Sequence, residues 1–176
     1  MLAENRFIET LKIVEKEGLH LSYSWGRLFS QVISENWVSE LEHRPDIAEQ
    51  LEAFVSRYGR MQDTMADKLM PRWLTAQSEK TGSQIEILNR SEYLGVLTSV
   101  ERWLEARQLR NRLVHECMTS ATNFGVDLLL AKDYSLLLIE TYNLIHVFAT
   151  ERMGIENSDL PAMLEKPSIE PNKEKG

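Results

Sequence analysis

Eight apolar side chains, Leu51, Phe54, Val55, Tyr58, Met61, Met65, Leu69 and Trp73, recur three or four residues apart. A backbone puts such a series on one face when it turns once every 3.6 residues or so. The spacing predicts a helix from Asp46 to about Ala76, the longest in the chain. Pro45 suits its first turn, because the fixed φ is helical and the missing N–H costs nothing there. Asp46 then sets negative charge against the positive end of the helix dipole. Pro71 is expected to kink or break the helix, since it removes a donor from the interior. A stripe this long has to be covered, and the rest of the chain is read for what covers it.

Most of the remaining segments carry the same period. Phe7, Leu11 and Val14 form a stripe with Ile8 beside it, in a helix that starts near Leu2 and either ends or bends at Gly18. The pattern resumes in LHLSYSWGRLFSQVI, where Tyr23, Trp25 and Phe29 read as core or subunit-interface packing rather than a base-stacking platform. Trp37 and Leu41 suit a short helix. Ser78 to Gln84 is a polar connection to another, through Ile85, Leu88 and Tyr93, stopped by Gly95. Ser99 or Thr98 caps a helix that runs to Met118. TSATNFG is expected to be a loop. The stretch from Asp127 to Met153 is apolar almost throughout, so it reads as a last helix buried on more than one side, with His146 packed inside. Five Pro and eight Gly, mostly outside these segments, fit helices better than a turn-rich sheet. The expected fold is all-α: an up-and-down bundle of four to five main helices over residues 1–154. Residues 155–176 lose periodicity and gain Pro and charge, and are expected to form a flexible tail.

A length of 176 residues fits one domain with a real core. With 20 basic and 27 acidic residues, the formal charge of -7 opposes binding of polyanions over the whole surface but permits a local basic cleft. Cys117 is the only cysteine. That excludes an intrachain disulfide and a cysteine-rich zinc site, and it fits a reducing compartment. The opening MLAENRFIETLK does not read as a secretory signal, and no run reaches the eighteen or so apolar residues of a membrane span. A cytoplasmic protein without a membrane role is expected. Phosphate-loop, HExxH and EF-hand patterns are absent, and no metal or cofactor is expected.

The helix from Ser99 to Met118 gathers Arg107, Arg110, Asn111, Arg112 and His115 within three turns. That concentration of fixed donors beside a neutral-pH titrating group points to an anionic ligand. Asn111 and His115 are four apart and share a face. Arg110 and His115 are five apart, roughly 140° around the wheel. One straight helix does not aim both at one point, so a site using both is finished by another helix or by a second subunit. On the long helix, Arg57, Arg60, Asp63, Asp67 and Lys68 lie opposite the apolar stripe. They read either as surface ion pairs or, for Arg57 and Arg60, as the facing wall of a cleft. Asp63 and Asp67 suit salt bridging better than metal binding.

RNRLVH resembles the R-N-x-x-x-H signature of the HEPN superfamily, the higher-eukaryote and prokaryote nucleotide-binding domain. YGRMQDTMADKLMP and LEARQLRNRLVHE are similar to segments of small bacterial HEPN proteins, which serve as toxins or as nucleotidyltransferase-associated subunits of two-gene modules. The likeness spans Met1 to about Gly154. It implies an HEPN-like bundle in which the long helix packs beside the motif helix. It also implies a homodimer and a metal-independent endoribonuclease of toxin–antitoxin type acting on RNA phosphodiesters, with a nucleotidyltransferase antitoxin as a partner. In that reading His115 is the general acid or base, Arg110 the phosphate and transition-state donor, and Asn111 the residue orienting either. Arg107, Arg112, Arg60 and Arg57 would bind substrate. RNA carries its own 2′-OH nucleophile, which agrees with the lack of any triad.

One departure stands out. Many toxin-type relatives have tyrosine two residues after the histidine, where the partner transferase modifies it; here the position is Cys117. The alternative implied is a non-catalytic nucleotide- or nucleic-acid-binding subunit of a separately encoded nucleotidyltransferase. Two further readings stay open from sequence: a structural protein whose arginines pair with Glu101, Glu105 and Glu116, and a small-molecule nucleotide hydrolase.

Overall fold

The computed structural model describes residues 2–116 and 121–171, and every regular element among them is helical. In order these are α1 (Leu2–Leu28), α2 (Glu35–Ser39), α3 (Pro45–Thr64), α4 (Met70–Ala76), α5 (Gln84–Tyr93), α6 (Val100–Glu116) and α7 (Ala121–Glu151). A π turn at Met65–Leu69 joins α3 to α4 without a break, leaving about six up-and-down helices where four to five were expected. α1 packs on α3, α4 and α7; α6 lies between α3 and α7. The predicted stripe is the centre of the core: Phe54, Tyr58, Met61, Met65, Leu69 and Trp73 are wholly buried, against Phe7, Leu11 and Leu21 of α1 and Trp103 and Leu109 of α6. No described helix is long and apolar enough to cross a membrane.

Local signals set most of the starts. Pro45 opens α3. Ser83 and Glu86 form a reciprocal capping box on α5. The Ser99 hydroxyl accepts the Arg102 N–H at 3.2 Å ahead of α6. At Pro71 the helix neither stops nor breaks. In a regular helix the proline ring would strike the carbonyl four residues back. Here the Met70 N–H reaches five residues back to the Met65 carbonyl, and the wider turn absorbs the ring.

Three expectations are corrected by distant contacts. Gly18 does not end α1, which runs on to Leu28; a Cβ there would sit 2.3 Å from Leu164 Cδ1, so its role is close approach. Ala121 to Gly125, expected as loop, already belong to α7, because Phe124 is buried and Gly125 lies against Val38. Of residues 155–176, expected as a flexible tail, 155–171 form a strap along α1 and α7, and 172–176 lie outside the described residues. Ile155, Leu160 and Leu164 are buried in it. The strap's Pro161 carbonyl accepts from His146 Nε2 at 2.8 Å, and the Ala162 carbonyl accepts from the Tyr142 hydroxyl at 2.7 Å. Asn143 clasps both backbone groups of Leu164, and the Glu170 N–H reaches the Gly26 carbonyl at 3.2 Å. Scattered apolar residues in a Pro-rich segment carry no period, yet Ile155, Leu160 and Leu164 are buried against the bundle.

Candidate functional site: a cleft between the long helix and the arginine-rich helix

A cleft of about 630 Å³ opens between α3 and α6, with Phe124 of α7 beside them. α3 contributes Glu52, Val55, Ser56, Gly59, Arg60, Asp63 and Thr64. These positions step by three and four, so they form one face, next to the stripe that enters the core. α6 contributes Arg110, Leu113 and Val114. The two walls are tied together below the cleft. The Tyr58 hydroxyl donates to the Ala106 carbonyl at 2.9 Å, and burial pushes that phenol's pKa well up, which keeps it a donor. Gln62 Nε2 adds a long bond of 3.4 Å to the Trp103 carbonyl.

Arg110 crosses α3 directly over Gly59. A Cβ built on Gly59 would lie 2.8 Å from Arg110 Nε and 3.3 Å from its Cγ, so no larger residue fits while the guanidinium stays. Arg110 Nη2 donates to Asp63 Oδ2 at 2.9 Å, which turns the guanidinium into the cleft. Its other N–H groups have no hydrogen-bond partner among the described residues. Arg60 stands exposed on the same wall, one residue past Gly59. At the far end the Thr64 hydroxyl donates to Glu17 Oε1 of α1 at 2.9 Å. Burial raises the Glu17 pKa, against the lowering effects of that bond and of the Arg60 and Lys68 charges. The result is a cationic centre whose orientation is set by one carboxylate, beside an apolar floor.

The other sequence-predicted residues fall in different places. Arg107, Asn111 and His115 are all exposed, and at successive offsets of four they form a second stripe on α6, next to the Arg110 stripe. His115 is not among the residues lining the cleft of the single chain. Arg112 turns to α7 and forks onto Asp127 at 3.1 and 3.2 Å. Arg57 reaches the opposite way, to the Ser24 hydroxyl at 2.7 Å and the His20 carbonyl at 3.2 Å of α1. Arg110 and Arg60 are therefore brought together, Arg57 and Arg112 are tied elsewhere, and Asn111 and His115 face outward. Of the carboxylates expected to pair with the arginines, Glu105 instead accepts the Tyr134 hydroxyl. No metal-binding group of three or more His, Cys, Asp or Glu occurs among the described residues, and Asp63 is engaged by Arg110. Cys117 lies outside the described residues.

Gly59, Glu52, Ser56 and Phe124 were not singled out from sequence. Gly59 left a signal: a glycine inside an otherwise unbroken helical stripe costs ~1 kcal/mol relative to alanine, and so wants a reason. Glu52 and Ser56 left none, being ordinary polar residues of a solvent face.

Fold and site together define an all-α bundle with an amphipathic, arginine-bearing cleft between two long helices. No family model, curated protein or solved structure matches the chain.

Proposed function

We propose that the chain is a metal-independent endoribonuclease of toxin–antitoxin type, HEPN-like in fold and cytoplasmic, acting on RNA phosphodiesters as a homodimer. The observation that carries this reading is the setting of Arg110. The arginine of R-N-x-x-x-H is fitted over a glycine and oriented by Asp63 inside an amphipathic cleft. A guanidinium so fixed binds a phosphate and stabilises the charge that grows on it during transfer. His115, an exposed imidazole on the neighbouring stripe of α6, serves as acid or base. It takes the proton of the ribose 2′-OH, the 2′ oxygen attacks phosphorus, and the P–O5′ bond breaks to leave a 2′,3′-cyclic phosphate and a 5′ oxygen that takes the proton back from the imidazolium. Asn111, on the same stripe as His115, orients it or the phosphate, and Arg107 lies one turn away as a further phosphate donor.

Because His115 stands on the stripe beside that of Arg110, a second copy is needed to complete the site. An exposed apolar run gives it a seat: Val126, Leu129 and Leu130 on α7 are each at least 40% exposed. The test is incubation of purified wild type and His115→Ala with total cellular RNA, with and without EDTA, alongside light scattering at micromolar concentration. Expected are a dimer, cleavage that survives EDTA, and loss of cleavage in His115→Ala with folding retained. Equal cleavage by both proteins would overturn the catalytic assignment.

A second reading has its own support. Cys117 replaces the tyrosine that the resemblance leads one to expect, and His115 stays outside the single-chain cleft. Both favour a non-catalytic nucleotide-binding subunit that partners a separately encoded nucleotidyltransferase. RNA or nucleotide binding by Arg110 without any turnover by wild type would select it.

A further inference from the structure

The cleft has two ends of opposite chemistry. Arg110 over Gly59, with Arg60 beside it, makes one end cationic. Glu52, two turns nearer the start of α3, makes the other end anionic. Seven residues separate Glu52 from Gly59, about 10 Å along the axis at 1.5 Å per residue. That is enough to hold one nucleotide lengthwise, phosphate at one end and base edge at the other. Between the ends Val55 and Val114 present apolar surface, backed by the buried Leu113 and Phe124, which suits the faces of a base. Glu52 is exposed and makes no hydrogen bond or ion pair among the described residues, so its acceptors are available to a ligand.

Resting on the nucleotide-site reading above, we propose that this cleft selects a guanine nucleotide. The phosphate sits on Arg110 and Arg60, and the Watson–Crick edge of the base sits on Glu52. An ionised carboxylate offers two oxygens that only accept. Guanine alone presents two adjacent donors on that edge, the ring N1–H and the exocyclic amino group, and so meets both oxygens in charge-assisted bonds. Adenine and cytosine set their amino group beside a ring nitrogen whose lone pair faces the carboxylate. Uracil sets its one N–H between two carbonyls. Each of the three therefore gains one bond and suffers repulsion where guanine gains a second. Ser56, one turn from Glu52 toward Arg60, supplies a hydroxyl between base and phosphate.

The experiment is calorimetric titration of the purified protein with the 3′-monophosphates of guanosine, adenosine, cytidine and uridine. Guanosine 3′-monophosphate is expected to bind at least tenfold tighter than the others. Glu52→Gln and Glu52→Ala, at an exposed position, should keep the far-ultraviolet spectrum and bring guanosine into line with adenosine. Arg110→Ala should weaken all four alike. A ten-residue oligouridylate with one central guanosine, titrated into His115→Ala so that it is not consumed, distinguishes the source of the base. Tighter binding than the mononucleotide assigns the cleft to a guanosine within a chain; weaker binding assigns it to the free nucleotide. Equal affinity for all four nucleotides, absence of binding at millimolar concentration, or a guanosine preference that survives Glu52→Ala would overturn the proposal. No arm reads cleavage, so base selection can fail while the ribonuclease reading stands, and the reverse.

Discussion

Replacing Gly59 with alanine separates stability from site geometry. In a helix interior alanine is better than glycine by ~0.8–1 kcal/mol. The new methyl, however, would stand 2.8 Å from Arg110 Nε and 3.3 Å from Cγ. Since carbon contacts settle near ~3.5–4 Å, the arginine has to retreat by roughly 0.7–1.2 Å. That breaks the 2.9 Å bond to Asp63, whose partners are 33% and 44% exposed, so the loss is only about 0–1 kcal/mol. Gain and loss nearly cancel, and Tm of Gly59→Ala is expected within about 3 °C of wild type. In an Arg110→Ala background the obstacle is gone, and the same substitution should show its full ~1 kcal/mol as a stabilisation. Denaturant titration of the four proteins of this cycle measures the coupling. Under the proposed ribonuclease reading, RNA cleavage should fall by about 10²-fold in Gly59→Ala, because a donor misplaced by an ångström no longer meets the developing charge. Equal stabilisation by Gly59→Ala in both backgrounds would refute the claim that this glycine exists to seat Arg110.

Two further outcomes follow from the strap and from the buried carboxyl. Asn143→Ala removes the bonds of 2.9 Å from the Leu164 N–H and 2.8 Å to the Leu164 carbonyl. Stability should drop by about 1–2 kcal/mol in urea titration, with faster amide exchange at Leu164; unchanged exchange would mean the strap is held by its apolar residues alone. Glu17 keeps its proton to higher pH in the folded chain than its ordinary value of 4.5, chiefly through burial. Its stabilising contribution is thus complete below pH 4.5 and is lost as pH rises through the raised value. Glu17→Gln should raise the urea midpoint at pH 7 and converge with wild type below pH 4.5; a lower midpoint at pH 7 would refute the assignment.

Whatever depends on a few neighbouring residues was legible in the chain itself. The stripe from Leu51 to Trp73, the start at Pro45 and the cap at Ser99 are local: period and capping act within one turn, so the residues that cause them are adjacent in sequence. The crowd of donors on α6 was legible for the same reason. Tertiary structure decided what these elements meet. Arg57 and Arg60 are three residues apart and equivalent as text, yet one is tied to α1 and the other opens into the cleft. Gly18 reads as a helix end or bend and Gly59 passes unremarked inside the stripe, yet each proves to be a place where a distant side chain crosses. Pro71 reads as a kink or a break, but the helix continues from α3 into α4, both packed on α1, while a π turn makes room for the ring. The strap carried no period at all, since an extended segment seated in a groove takes its pattern from the groove. Helix formation is set by neighbours along the chain. The cleft is set by which faces of α3 and α6 are left over once the core has taken its share, and that division exists only in the folded molecule.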